Sequence, residues 1–171
     1  MFLIVMGVSG CGKTTIGKLL AEKLGWPFYD GDDFHTPANV ARMSQGIPLD
    51  DEDRADWMAE LADLIRDSMQ NGQSGVLACS ALKQCYRDQL CLDPVQVKFI
   101  YLKGNYELIH SRMQSRPGHY MKPDMLDSQF TTLEEPGDAI TVEISQSPEE
   151  IAALAIHRLG PLIRNSQTIQ G

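Results

Sequence analysis

The chain begins with an unbroken apolar run, Phe2-Leu3-Ile4-Val5-Met6, the pattern of a parallel strand buried on both faces. The apolar spacing then changes. Ile16, Leu19, Leu20 and Leu24 fall on one face of a helix that should end near Gly25. Pro27-Phe28-Tyr29 reads as a short second strand running into an acidic turn, Asp30-Gly31-Asp32-Asp33. Thr36-Pro37 supplies the N-cap and first residue of a helix closing near Gly46. Asp50 caps a longer helix with the stripe Trp57, Met58, Leu61, Leu64, Ile65 and Met69, stopped by Asn71-Gly72. Gly75 to Cys79 is a third strand, followed by a helix through Tyr86 and Leu90. Val97 to Leu102 is a fourth strand, and its helix carries Leu108, Ile109 and Arg112. Ile140 to Ile144 is a fifth strand. Pro148-Glu149-Glu150 opens the last helix, and Gln167 to Gly171 reads as a frayed tail.

Strands alternating with helices predict an α/β fold: a five-stranded parallel sheet flanked by helices, with right-handed crossovers covering both faces. The 171 residues suit one domain with a core that needs no staples. One stretch resists the pattern. Ser115 to Gly137 has weak periodicity and carries Pro117-Gly118, Lys122-Pro123 and Pro136-Gly137. A long irregular piece in a compact domain is usually functional, so it is predicted to be a mobile lid.

A net charge of −8 argues against a nucleic-acid face, which would be basic. There is no transmembrane run, and the N-terminal apolar stretch is too short and lacks the basic start of a secretion signal. Four cysteines without a C-x-x-C pair suit free thiols in a reducing cytoplasm.

Between the first strand and first helix stands Gly7-Val8-Ser9-Gly10-Cys11-Gly12-Lys13-Thr14, which fits the phosphate-binding P-loop G-x-x-x-x-G-K-[ST]. Backbone N–H groups of such a turn at a helix N-terminus converge on phosphate oxygens. Gly7, Gly10, Cys11, Gly12, Lys13, Thr14 and Thr15 are therefore the expected nucleotide-binding residues. Lys13 should reach the β- and γ-phosphates and the Thr14 hydroxyl should ligate Mg²⁺, with ATP as the nucleotide.

Phosphoryl transfer needs more than a cradle. Asp30 and Asp32 lie at the C-terminal end of the second strand, where ligands sit in open α/β sheets. One carboxylate could hold the metal while the other accepts the proton of an attacking hydroxyl. Arg112 and Arg116 are four apart, share a helix face, and could neutralise the transition state from the lid's entrance. Lys83 and Arg87, also four apart, leave the third strand on the ligand side. Arg54 sits among Asp51, Glu52, Asp53 and Asp56, where it is either a local ion-pair partner or a cation for an anionic substrate. His35 follows the acidic turn and could donate to substrate oxygens. Cys11, two residues from Lys13, is either a reactive thiol in positive potential or a buried inert one.

These residues together resemble the small P-loop gluconokinases. The likeness is carried by Met6 to Gly10 entering the P-loop, Asp30-Gly31-Asp32 with Phe34-His35, Asn39 and Met43-Ser44, and Gly46 to Leu49. It continues through Asp51 to Arg54 with Trp57, Cys79 to Lys83 with Tyr86-Arg87, Phe99 to Gly104, and Ser111-Arg112. It extends over Arg116 to Met121, Met125-Leu126, Ser128-Gln129-Phe130 and Leu133 to Pro136. Cys11 departs from the serine expected there, and Tyr120 from phenylalanine. The resemblance implies ATP:D-gluconate 6-phosphotransferase activity, an adenylate-kinase- or shikimate-kinase-like core with a mobile lid, and a homodimer. It implies Asp32 as the acceptor-side acid, Arg54, Lys83 and Arg87 as substrate-side cations, Arg116 as a lid arginine, and His35 and His119 beside the substrate. Shikimate kinase is the nearest rival, but a Gly-Gly-Gly turn expected after its third strand is replaced here by Ser80-Ala81-Leu82-Lys83.

Overall fold

The computed structural model describes residues 1–47, 49–115 and 123–167. In chain order the elements are β1 (Phe2–Met6), α1 (Lys13–Leu24), β2 (Phe28–Asp30), a 3₁₀ turn (Gly31–Phe34), α2 (Pro37–Ser44) and α3 (Asp51–Gln70). They continue with β3 (Gly75–Ala78), α4 (Gln84–Leu90), β4 (Val97–Lys103), α5 (Tyr106–Gln114), α6 (Pro123–Thr132), β5 (Ile140–Glu143) and α7 (Pro148–Gln167). The five strands form one sheet in the order β2-β3-β1-β4-β5. Every pairing is parallel, with Phe2 opposite both Gly75 and Val97.

Period two in β1 divides the core between the two faces of the sheet. Leu3 and Val5 point to the layer of α1 and α7, with Ile16, Leu20, Ile151 and Leu159. Phe2, Ile4 and Met6 point to the layer of α3, with Met58, Leu61 and Ile65. The helix starts follow their caps. Thr36 Oγ1 accepts from Asn39 N at 3.2 Å. Asp50 and Asp53 close a reciprocal capping box at 2.9 and 3.0 Å.

The expectation of irregular chain from Ser115 to Gly137 needs correction. Residues 116–122, at its heart, lie outside the described residues, but 123–132 form helix α6 rather than irregular chain. Its apolar signal is thin because only a narrow face is used: Leu126 is buried, and Phe130 leans on Tyr106 of α5 at 5.6 Å. The 3₁₀ turn after β2 was also not foreseen. Asp30 creates it by accepting the N–H of Asp32 at 3.2 Å.

Candidate active site

β1 delivers the chain to the P-loop at the centre of the sheet's C-terminal edge. Gly7 has φ +142°, and a Cβ there would lie 2.9 Å from the Leu102 carbonyl oxygen. Gly10 has φ +80°, and a Cβ there would meet Met113 at 2.7 Å. Both positions therefore require glycine. Gly12 caps α1 with no side-chain hydrogen bond, which leaves the helix's first N–H groups directed at an incoming anion. Lys13 Nζ rests on the Val8 carbonyl at 3.1 Å. Thr14 Oγ1 donates to Asp30 Oδ2 at 2.9 Å, so the two predicted metal-side oxygens meet.

Beside the loop a cavity of about 300 Å³ runs past Gly10, Cys11, Gly12 and Thr15 to Arg112 and Gln146. Arg112 reaches across its wall to donate to the Ile144 carbonyl. Arg116 and His119 lie outside the described residues. The Cys11 backbone belongs to the loop, but its side chain turns inward and is 1% exposed. Burial pushes the thiol pKa up, outweighing the nearby Lys13. Of the two readings of Cys11, the structure favours the inert one.

Beyond the Thr14–Asp30 pair the 3₁₀ turn carries Asp32 and His35. The Asp32 side chain is 89% exposed and stands free to meet an acceptor. His35 is different. Its side chain is 5% exposed, it stacks on Trp57 at 4.3 Å, and its Nε2 lies 3.9 Å from Asp32. Burial lowers its pKa, so the ring is held neutral. It supports the turn instead of reaching outward from it. Trp57 in turn donates Nε1–H to the Gly31 carbonyl at 2.7 Å, which fastens the 3₁₀ turn to α3.

Arg54 and Lys83 converge on Tyr86 and Asp51. Lys83 Nζ bonds both Asp51 oxygens at 2.7 Å, and Tyr86 donates to the same carboxylate. These contacts hold the Asp51 pKa down and raise that of Lys83. Arg54 is less committed. It donates to Tyr86 Oη at 3.2 Å and stands 4.0 Å from Asp51.

Arg87 does not project with Lys83, which is a correction. Lys83 is the N-cap of α4, whereas Arg87 is 2% exposed. Its Nη1 donates to the Ala81 and Leu82 carbonyls, both at 3.0 Å, and its Nη2 to Gln84 at 2.7 Å. Ala81 has φ +42°, a left-handed conformation costly for a residue with a Cβ. Arg87 is the brace that holds this loop in shape.

Three residues, Gln129, Glu134 and Glu135, make contacts that nothing local in sequence marks. Gln129 of α6 accepts the Ser9 N–H at 2.5 Å. Glu134 accepts the Gln84 N–H at 2.5 Å and donates its own N–H to the Leu82 carbonyl at 2.9 Å. Glu135 pairs with Lys103 at 2.7 Å. It also lies beside Tyr101, whose pKa burial and this carboxylate push up to about 12. The loop that follows α6 is thus strapped across the ends of β3 and β4.

A family model for shikimate kinase matches residues 9–159. Curated relatives point more narrowly. The chain is 43% identical to a probable gluconokinase of Rattus norvegicus, over 92% of this chain and 96% of that one. It is 49% identical to a gluconokinase of Gluconobacter oxydans, over 80% of this chain and 77% of the relative. The chain belongs to the gluconokinase family. A solved gluconokinase from Sinorhizobium meliloti superposes with a TM-score of 0.88 at 37% identity, covering 99% of this chain and 97% of the other. Solved shikimate kinases at 18–20% identity share the fold with this gluconokinase-family chain and no more. Among the described residues no helix is long and apolar enough to cross a membrane.

Proposed function

We infer that this chain transfers the γ-phosphate of ATP to the 6-hydroxyl of D-gluconate, giving 6-phospho-D-gluconate and ADP. The observation that carries the reading is one arrangement. A P-loop with the Thr14–Asp30 pair at its edge is followed by an exposed carboxylate, Asp32, and the chain also builds a cationic corner from Arg54 and Lys83. The cavity beside Thr15 and Arg112 takes the nucleoside. Lys13 leaves the Val8 carbonyl for the phosphates.

Thr14 and Asp30 offer adjacent hard oxygens, a donor set that fits Mg²⁺. Bound there, the ion would neutralise charge developing on the phosphates. Asp32 takes the proton of the attacking hydroxyl, and its exposure leaves it reachable. Arg54 supplies the larger part of the recognition of the gluconate carboxylate, because Lys83 already shares its charge with Asp51. Residues 115–137 act as the lid, with Arg116 over the phosphates and His119 near the substrate. The whole chain is one domain working as a homodimer in the cytoplasm, where its four cysteines stay reduced.

The test is a panel of sugar acids and neutral polyols with ATP and Mg²⁺, with the product position read by NMR. Phosphate at the 6-position of gluconate supports the reading. Preference for shikimate or for a neutral polyol defeats it. Sedimentation of the purified protein decides the dimer.

A further inference from the structure

We propose that Gln129 contacts the terminal phosphate of ATP and lets this site tell triphosphate from diphosphate. The inference rests on the kinase reading above. The Val8–Ser9 peptide group is held at both ends: Lys13 Nζ is on its carbonyl at 3.1 Å and Gln129 Oε1 on its N–H at 2.5 Å. The Ser9 N–H is a donor of the phosphate-binding turn. An amide from another element has reached into that turn to meet it.

Position along the nucleotide follows from the cavity. Gly10, Cys11, Gly12 and Thr15 line the nucleoside-side cavity, and Ser9 is not among its walls. Ser9 therefore belongs to the end of the loop remote from the base, where the last phosphate of the chain lies. The strap leading out of α6 points the same way. A few residues after Gln129, Glu134 bonds the Leu82 carbonyl and Gln84 N–H on either side of Lys83, at the acceptor corner. Gln129 thus belongs to the stretch of chain that leads from the turn to the acceptor corner.

The head group suits the place. A carboxamide offers an acceptor and two donors. With Oε1 on the backbone N–H, Nε2 remains a donor that a phosphate oxygen can use without bringing a charge into the site. The helix that carries it is packed on its neighbours. Phe130 packs on Tyr106 of α5, Leu126 is buried, and Met113 of α5 lies directly under Gly10.

Two variants separate this from a merely structural hydrogen bond. Gln129→Glu keeps an acceptor for Ser9 but places negative charge where a donor stood. Gln129→Ala removes both functions. For each full-length protein, dissociation constants for ADP and for a non-hydrolysable ATP analogue are measured by calorimetry with Mg²⁺, alongside a thermal melt. We expect Gln129→Glu to lower the preference for the ATP analogue over ADP by about tenfold or more, and Gln129→Ala by about threefold. If the Glu variant does not fold, the Ala variant carries the test alone. A preference equal to that of the wild type in every folded variant overturns the inference, and so does equal weakening of both ligands. Failure of the kinase reading itself would look different: the unsubstituted protein would bind neither nucleotide or would not phosphorylate gluconate.

Discussion

Replacing Arg87 by methionine asks whether this arginine serves the substrate or the loop. Methionine fills a similar volume but offers no donors. The Ala81 and Leu82 carbonyls, each now bonded at 3.0 Å, and the Gln84 side chain at 2.7 Å would lose their partner. A hydrogen bond from a charged donor contributes roughly 1.5–3 kcal/mol, so the two carbonyls together put about 3–6 kcal/mol at stake. Relief from burying a guanidinium offsets part of that, leaving a net loss of about 2–4 kcal/mol. For a chain of this size each kcal/mol shifts Tm by about 2–4 °C, so the melt should fall by roughly 5–15 °C. Urea unfolding should show a lower midpoint at unchanged slope. Well below the melt, KM for gluconate should stay within about threefold of wild type, since the side chain is 2% exposed. A variant that melts like the wild type but needs tenfold more gluconate would refute this and return Arg87 to the substrate pocket.

Lys13→Ala should cut kcat by about 10²–10³ with the circular dichroism unchanged; near-normal turnover would remove the P-loop assignment. Asp32→Asn should lower kcat far more than it weakens ATP binding, and a dominant effect on ATP affinity would move Asp32 to the metal side. Arg54→Ala should raise KM for gluconate about tenfold or more, and more than Lys83→Ala does, while sparing ATP; the order of the two in steady-state kinetics decides how the corner is shared. Cys11 should resist alkylation in the native protein while exposed Cys85 labels quickly, as peptide mapping can show, and rapid labelling of Cys11 would contradict its burial. His35 gives a pH dependence. Its folded pKa lies below the ordinary 6.5, so the unfolded chain takes up the proton first. Stability should therefore fall as pH drops through 6.5 towards the folded value, and His35→Gln should flatten that slope in urea titrations from pH 7.5 to 5.

Elements whose signal is local were legible before any coordinates. The apolar run of β1, the glycines and lysine of the P-loop, the stripe of α3 and the caps at Thr36 and Asp50 all state their structure within a few residues. The motif also pointed to Thr14 and Asp30 as the metal side, and the two meet although β3 stands between β2 and β1 in the sheet. What escaped depends on distant partners. Arg87 and Lys83 look alike in sequence, and only the strained turn at Ala81 decides that one is buried and the other is not. α6 was hidden because a helix held by Leu126, Phe130 and a polar grip on the P-loop carries little periodic apolar signal. The inward turn of Cys11 and of His35 likewise follows from packing that the neighbouring residues do not reveal.

The middle place of β1 in the sheet has a consequence for synthesis. Its partners are β3 and β4, and β4 ends only at Lys103. Translation at about 5–20 residues per second leaves the first strand of a nascent chain without its full pairing for roughly 5–20 s. During that time Phe2-Leu3-Ile4-Val5-Met6, wholly buried once folded, is a charge-free sticky segment that other chains can pair with. The yield of soluble protein from a cell should therefore depend on growth temperature and chaperone supply, even where the finished enzyme is stable.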